Sequence, residues 1–472
     1  MNGKELLNQI NSVIAGELFS TLYGKDGVDS ARRRYNRLIE GLLENTSNAF
    51  PRQDFPETAG DLHLFSVPGR TELGGNHTDH NNGKVLAASI QLDAAAVAAP
   101  RPDKQVLFRS VGHRDVKIDL SDLSIRESEK GDTEALIRGI AAEFAAQGTP
   151  VGGFTANADN MVLTGSGLSS SAAVEVLFAK IFDDLFCGGK RSALELAKIG
   201  QKAENLYFGK PCGLMDQIAC ATGGAVAIDF EDTKNPKVKK ISFDPAAAGF
   251  ALCVVDTKGK HSDLTPDYAA IPTEMKAVAA FFGKTVLREL DENNVTACIS
   301  DLRKAAGDRA LLRAFHFFGE NRRVDAMLTT LENLNTLPFE VTSGAAMKER
   351  VEIMKNFLTL AMDSGASSLE LLQNIYSAKN PALQGVGLAL EMTKKFLVAQ
   401  INKEKRNNNE TCDSKINGAC RVHGGGFAGT IQAYIPLGCV DGYCNLMEEI
   451  FGKGTVTVLK IRPLGAIELD FS

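Results

Sequence analysis

Apolar residues recur at helical spacing through residues 1–50. Leu38, Leu42 and Leu43 fall on one face and Arg32, Arg33 and Arg34 on a polar one, until Pro51 stops the pattern. This predicts an N-terminal helical layer packed on the body of the protein. From residue 62 to 67 the period changes to two, that of a strand, which Pro68, Gly69 and Arg70 are expected to end; residues 85–97 form a second, largely apolar strand. Strand-like pieces at 106–108 and 153–156 flank a helix over about 133–147, and Met161, Val162 and Leu163 read as the end of a further strand. Val174, Leu177, Phe178, Ile181, Phe182, Leu185 and Phe186 then line one face of an amphipathic helix. Ser192-Ala-Leu-Glu195 has capping-box spacing and opens a helix through Glu204 to about Phe208.

Strands are expected at 224–230 and 250–255, separated by a charged, proline-interrupted stretch over 231–240 that reads as a boundary or surface excursion. Residues 271–337 and 358–397 are mainly helical, the second run broken near Gly365 and at Pro381, and 403–410 reads as a polar loop. Strand spacing returns at 430–435 and over 455–470, with no internal repeat.

A chain of 472 residues with this mixed pattern can bury a core large enough for two or three domains. Its 44% hydrophobic and 23% charged residues exclude disordered and fibrous classes. A formal net charge of −6 argues against a nucleic-acid-binding surface, and no apolar run reaches the roughly 18 residues of a membrane span. Met1-Asn-Gly-Lys-Glu-Leu-Leu opens a polar, amphipathic segment rather than a signal peptide. The nine cysteines are scattered, and the densest group, Cys412, Cys420, Cys439 and Cys444, has no zinc spacing. Buried thiols in a cytoplasmic protein are expected, with no nucleic-acid or membrane partner; oligomeric state is left open.

Against this background one stretch carries chemistry. Thr164-Gly-Ser-Gly-Leu-Ser-Ser-Ser-Ala-Ala173 lies between an expected strand and the amphipathic helix. A glycine-rich turn running into a helix N-terminus suits an anion, because the first N–H groups of the helix lack partners and the macrodipole adds positive potential. Candidate contacts are Gly165, Ser166, Gly167, Leu168, Ser169, Ser170, Ser171 and Ala172, the serines offering hydroxyl donors or a magnesium ligand. No Gly-Lys-Ser/Thr follows, so this is not a Walker loop; a plain serine-rich helix cap has the same pattern. A second stretch, Thr71-Glu-Leu-Gly-Gly-Asn-His-Thr-Asp-His-Asn-Asn-Gly83, packs two histidines, two carboxylates and several amides between buried strands. Such groups are costly there unless they bind one another or a ligand.

These stretches resemble the galactokinases of the GHMP kinase superfamily. The first is similar to that superfamily's phosphate loop. The second, with Arg70, is similar to the signature Gly-Arg-x-x-x-x-Gly-Glu-His-Thr-Asp-Tyr-Asn, matching at Arg70, Gly75, His77, Thr78, Asp79 and Asn81, with Asn76 in place of Glu and His80 in place of Tyr. Gly209-Lys-Pro-Cys-Gly-Leu-Met-Asp-Gln217 resembles the segment whose Asp is the family's base, and Gly418-Ala-Cys-Arg-Val-His-Gly-Gly-Gly-Phe-Ala-Gly-Thr430 its glycine-rich third motif.

The resemblance implies an α+β, two-domain GHMP kinase fold: a mixed-sheet N-terminal domain and a ferredoxin-like C-terminal domain around a central cleft. Expected boundaries are a helical extension at 1–50, a sugar- and phosphate-binding domain at 51–235 and a C-terminal domain at 236–472. It implies ATP and Mg²⁺ as cofactors and a sugar as the other small-molecule partner. Asp216 is the implied base, assisted by Arg70; Asn76, His77, Asp79 and Tyr268 are the implied sugar contacts; Ser171, with Ser169 and Ser170 as alternatives, and Glu204 serve the metal. The implied reaction is phosphorylation of the anomeric hydroxyl of galactose. A kinase for N-acetylgalactosamine or a uronic acid, favoured by Asn76, and a non-catalytic sugar and ATP sensor are the other readings.

Overall fold

The computed structural model describes residues 3–43, 61–259, 264–337, 344–379, 381–408 and 417–471. Three helices lead: α1 (Gly3–Ile10), α2 (Val13–Tyr23) and α3 (Val28–Leu43). Strands β1 (His63–Gly74), β2 (Lys84–Pro100), β3 (Gln105–Ser110) and β4 (Val116–Asp119) follow, then α4 (Thr133–Ala146), β5 (Phe154–Asn160), α5 (Ser170–Cys187), α6 (Ala193–Lys202) and α7 (Met215–Thr222). After β6 (Ala225–Asp229), β7 (Lys237–Ile241) and β8 (Phe250–Asp256) come the helices α8 (Thr265–Phe281), α9 (Glu292–Ala297), α10 (Ile299–Ala306), α11 (Asp308–Thr336), α12 (Gly344–Ser367) and α13 (Gly385–Asn408). The chain closes with β9 (Ala419–His423), β10 (Thr430–Pro436), α14 (Val440–Phe451), β11 (Val456–Leu459) and β12 (Ile467–Glu468).

The first sheet runs β12-β1-β2-β5-β3-β4, with β6 and β7 continuing from β2; β3 and β5 are parallel and the other pairs antiparallel. Its central strands are buried on both faces, which explains their nearly unbroken apolar sequence. Ala94, Ala96 and Ala98 face the main core with α5 and α7, whereas Ala95, Val97 and Ala99 face the N-terminal helices. A buried polar cluster fastens that helical layer. Asp93 on β2 pairs with Arg34 Nη1 of α3 at 2.5 Å and Arg462 Nη1 at 3.3 Å, and accepts from Tyr23 Oη at 2.8 Å.

The second sheet is antiparallel in the order β11-β8-β10-β9. With helices between β8 and β9 and α14 between β10 and β11, this is the ferredoxin-like arrangement. The chain is therefore a two-domain α+β fold, but its sheets interleave: β7 and β12, both beyond residue 236, complete the first sheet. Among the described residues no helix is long and apolar enough to cross a membrane, and the cysteines form no disulfide.

Several local expectations are corrected. Pro68, Gly69 and Arg70 do not end β1. The strand passes them through a bulge, with the register shifting between Pro68 and Arg70, and a second shift follows between Glu72 and Gly74. Met161, Val162 and Leu163 lie beyond β5, which ends at Asn160. Part of the charged 231–240 stretch is strand β7. Gly365 lies inside α12, where a side chain would meet Cys420 O at 3.1 Å; the helix yields only at the π turn Ser368–Leu372. The backbone of α13 continues to residue 408, so most of the expected 403–410 loop is helical and its last two residues fall outside the described residues.

Candidate active site

The loop before α5 is wound through left-handed conformations, with φ +74° at Gly165, +70° at Gly167 and +61° at Ser169. Glycine accepts these angles freely, and Ser169 is held there by its contacts. A side chain at Gly167 would also meet His423 Nδ1 at 3.1 Å, so strand β9 backs the loop closely. The serines separate by partner. Ser166 donates to Leu163 O at 2.6 Å, Ser170 accepts from Asn160 Nδ2 at 2.8 Å, and Ser169 donates to Asp216 Oδ2 at 2.5 Å. Ser171 is exposed and its hydroxyl has no hydrogen-bond partner among the described residues. Leu168 and Ala172 are buried and anchor the loop to the core.

Arg70 reaches this loop from the bulged part of β1. Its backbone N–H donates to Leu168 O at 3.0 Å and its Nη1 to Gly167 O. Nε and Nη2 each lie 2.8 Å from Asp216 Oδ1. Burial opposes the charge of this guanidinium, but the carboxylate beside it outweighs that and raises its pKa. Asp216 sits in the first turn of α7 with its side chain one-third exposed, whereas Arg70 is 7% exposed.

Beside this pair lies a cleft of ≈ 240 Å³ lined by Arg70, Glu72, Asn76, His77, Asp79 and Asp216, together with Gly213 and the Gly424–Gly425 turn. His77 is left-handed (φ +61°), and its Nε2 donates to Gly425 O at 3.0 Å, leaving Nδ1 as the acceptor. Burial holds this imidazole down to about 4, so it is neutral at physiological pH. Asp79 Oδ1 caps the backbone N–H of His80 at 2.9 Å. The expected sugar residue Tyr268 is not among those lining this cleft; its hydroxyl donates to Gly426 O at 2.8 Å, and its ring stands edge-on to Phe427.

Glu204 falls in a π turn, Ala203–Phe208, that follows α6 directly, and is buried. Its Oε1 accepts from Lys210 Nζ at 3.0 Å and its Oε2 from Gln217 Nε2 at 3.2 Å. The same Gln217 nitrogen donates to Glu175 Oε2 at 2.8 Å, while Glu175 Oε1 is buried without a hydrogen-bond partner among the described residues. Burial, then the nearby Glu204, pushes the Glu175 carboxyl well above the usual range.

Sequence reasoning missed the residues that hold the two domains' motifs together. Arg421 of β9 pairs with Glu72 of β1 at 2.6 Å. Gln432 Nε2 donates to Thr71 Oγ1 at 2.8 Å and Glu72 O at 3.0 Å, and Thr430 Oγ1 to Ser166 O at 2.9 Å. His423 spans Thr71 Oγ1 and Thr430 Oγ1, each at 3.0 Å. His316 of α11, read from sequence as core packing, is buried and bonds Asn76 O at 2.9 Å, bracing the polar loop. The signal available was polar residues at inward strand positions, without any indication of their partners.

The profile of the GHMP kinases N terminal domain matches residues 135–224, and that of the galactokinase galactose-binding signature matches residues 52–100. The chain is 32% identical over 311 residues to the galactokinase of Streptomyces coelicolor, covering 65% of this chain and 79% of that one. It is 28% identical over 417 residues to the galactokinase of Actinobacillus pleuropneumoniae, covering 85% and 93%. The fold is similar to that of Lactococcus lactis galactokinase solved with galactose (TM-score 0.68, 22% identity, 91% of this chain and 100% of that one). A mevalonate kinase structure also matches (TM-score 0.53, 11% identity, 84% and 98%). At 32% identity over 79% of the Streptomyces coelicolor enzyme, the chain belongs to the galactokinase family.

Proposed function

We propose that the chain transfers the γ-phosphoryl group of ATP to the anomeric hydroxyl of galactose, giving galactose 1-phosphate and ADP. The observation that carries this reading is Asp216 standing between the polar cleft and the loop at the N-terminus of α5, with Arg70 on one carboxylate oxygen and Ser169 on the other. Phosphoryl transfer asks little covalent chemistry of a protein; positioning and charge stabilisation dominate. Gly165 to Ala172 would hold the phosphates through backbone N–H groups at the helix N-terminus. Met161 and Leu163, just before the loop, expose apolar side chains, a surface suited to the adenine ring. In the cleft, His77, Asp79 and the Asn76 segment would hold the ring hydroxyls, with Tyr268 acting through the glycine turn it supports. Asp216 takes the proton of the attacking hydroxyl. Arg70 fixes the carboxylate and lies close enough to the loop to neutralise charge on the moving group.

The oxygen donors that Mg²⁺ prefers are present in this region. Ser171 offers a hydroxyl with no other partner among the described residues, and Glu204 a buried carboxylate. Ser171 and Glu204 would hold the ion, whose chemistry is to neutralise the phosphate oxygens. Stoichiometric formation of galactose 1-phosphate and ADP by the purified chain tests the reading; ADP release indifferent to added sugar contradicts it.

A further inference from the structure

Asn76 occupies the position where the sugar-loop signature carries a glutamate, and its neutral side chain is fully engaged by the protein. Nδ2 donates to Gly424 O at 2.7 Å and to the Glu72 oxygens at 3.2 and 3.4 Å, and Oδ1 accepts from Asn374 Nδ2 at 2.9 Å. At 1% exposure, little capacity remains for a ligand.

A carboxylate is nonetheless present four positions earlier. Glu72 follows Arg70 by two residues in a regular stretch of β1, so both side chains leave the same face of the strand, and both line the same cleft. Burying this charge requires a partner, which Arg421 Nη2 supplies at 2.6 Å from Oε1. Oε2 has only the long 3.4 Å contact with Asn76 among the described residues, leaving acceptor capacity on the atom that Arg421 does not hold.

We propose that Glu72 is the carboxylate that accepts a hydrogen bond from a ring hydroxyl of the sugar, taking at position 72 the role that the signature gives to position 76. The inference rests on the sugar-kinase reading of this cleft. It makes 72 and 76 a coupled pair, one carboxylate and one amide. A glutamate at 76 would place a second carboxylate against Glu72, across the gap that Asn76 Nδ2 now closes.

The test uses the purified full chain and its Glu72→Gln, Asn76→Glu and Glu72→Gln/Asn76→Glu variants, assayed with ATP on galactose and each monodeoxygalactose. Glu72→Gln is expected to raise the galactose KM at least about tenfold, with the ATP KM within about twofold. At one ring position the deoxy sugar should be turned over at least about tenfold worse than galactose by wild type, and nearly equally by Glu72→Gln. A merely structural glutamate would not move that ratio. Asn76→Glu alone should be the poorest of the three, and the double variant should recover at least about tenfold in kcat/KM over it. Glu72→Asp, which keeps the pairing charge, reports on the same ratio if Glu72→Gln melts early. An unchanged galactose KM and an unchanged deoxy-sugar pattern in the Glu72 variants overturn the proposal while wild-type turnover leaves the kinase reading standing. Wild type inactive on every hexose removes both.

Discussion

Arg70 and Asp216 stand 146 positions apart and meet at 2.8 Å, with Nε and Nη2 of the guanidinium on the same carboxylate oxygen. Three features make that meeting specific. The bulge in β1 brings Arg70 to the loop, its backbone is tied to Leu168 O, and Ser169 takes the second oxygen of Asp216. The Asp216 carboxylate is thereby fixed by partners whose own positions are fixed, as the proposed positioning catalysis would require.

If Asp216 takes the hydroxyl proton, Asp216→Asn lowers turnover at least about 100-fold, the lower end of general-base contributions. Sugar and ATP binding, followed by titration calorimetry, should survive. Near-normal turnover of the purified variant would remove Asp216 from the chemistry.

Ser171→Ala and Glu204→Ala should each raise the Mg²⁺ concentration needed for half-maximal rate, with little change in sugar KM. Glu204→Ala additionally leaves Lys210 without the carboxylate 3.0 Å away. Mg²⁺ titrations that superimpose on wild type would place the metal elsewhere.

Burial holds the His77 imidazole down to about 4, against an ordinary value of 6.5. Below pH 6.5 the unfolded chain takes up this proton and the folded chain does not until about pH 4, so the contribution of His77 to stability falls as pH falls through that window. Relative to His77→Asn, wild type should lose up to about 3 kcal/mol between those limits and nothing above pH 7. Urea midpoints of both proteins at pH 7.5, 5.5 and 4.5 measure it; parallel profiles would mean that the fold does not hold His77 neutral.

Asp93→Ala strands Arg34 and Arg462 without their shared carboxylate and should destabilise the fold by about 3–5 kcal/mol, the cost of breaking a buried pair. The loss is expected in chemical denaturation, and a change below about 1 kcal/mol would show that the N-terminal layer is held by apolar contact alone.

Much of this was legible in the sequence because the signals were local. The capping box at Ser192 and Glu195 forms as its spacing indicates, and the periodic face from Val174 to Phe186 becomes α5. Arg70, His77 and Asp216, from separate motifs, line one cleft, and Ser169 donates to Asp216 beside it. What escaped depended on distant partners. Pro68 looked like a stop, yet a bulge accommodates a residue without an N–H. β7 looked like a loop because an edge strand carries lysines, here Lys237, Lys239 and Lys240. Gly365 looked like a break, whereas it admits the backbone of β9. In the sequence Glu72 is one carboxylate among several, because the partner that marks it, Arg421, lies 349 positions away.

The most direct measurement is kcat/KM of the purified chain for ATP-dependent turnover of galactose, glucose, N-acetylgalactosamine and galacturonate under one set of conditions. A cleft of buried polar groups rejects a ligand that leaves them unpaired, so galactose should exceed glucose, which differs in one hydroxyl orientation, by at least about tenfold. It should also exceed the two substituted sugars. Faster turnover of N-acetylgalactosamine or galacturonate than of galactose would contradict the assignment of galactose as substrate, and no sugar-dependent turnover at all would contradict the kinase itself.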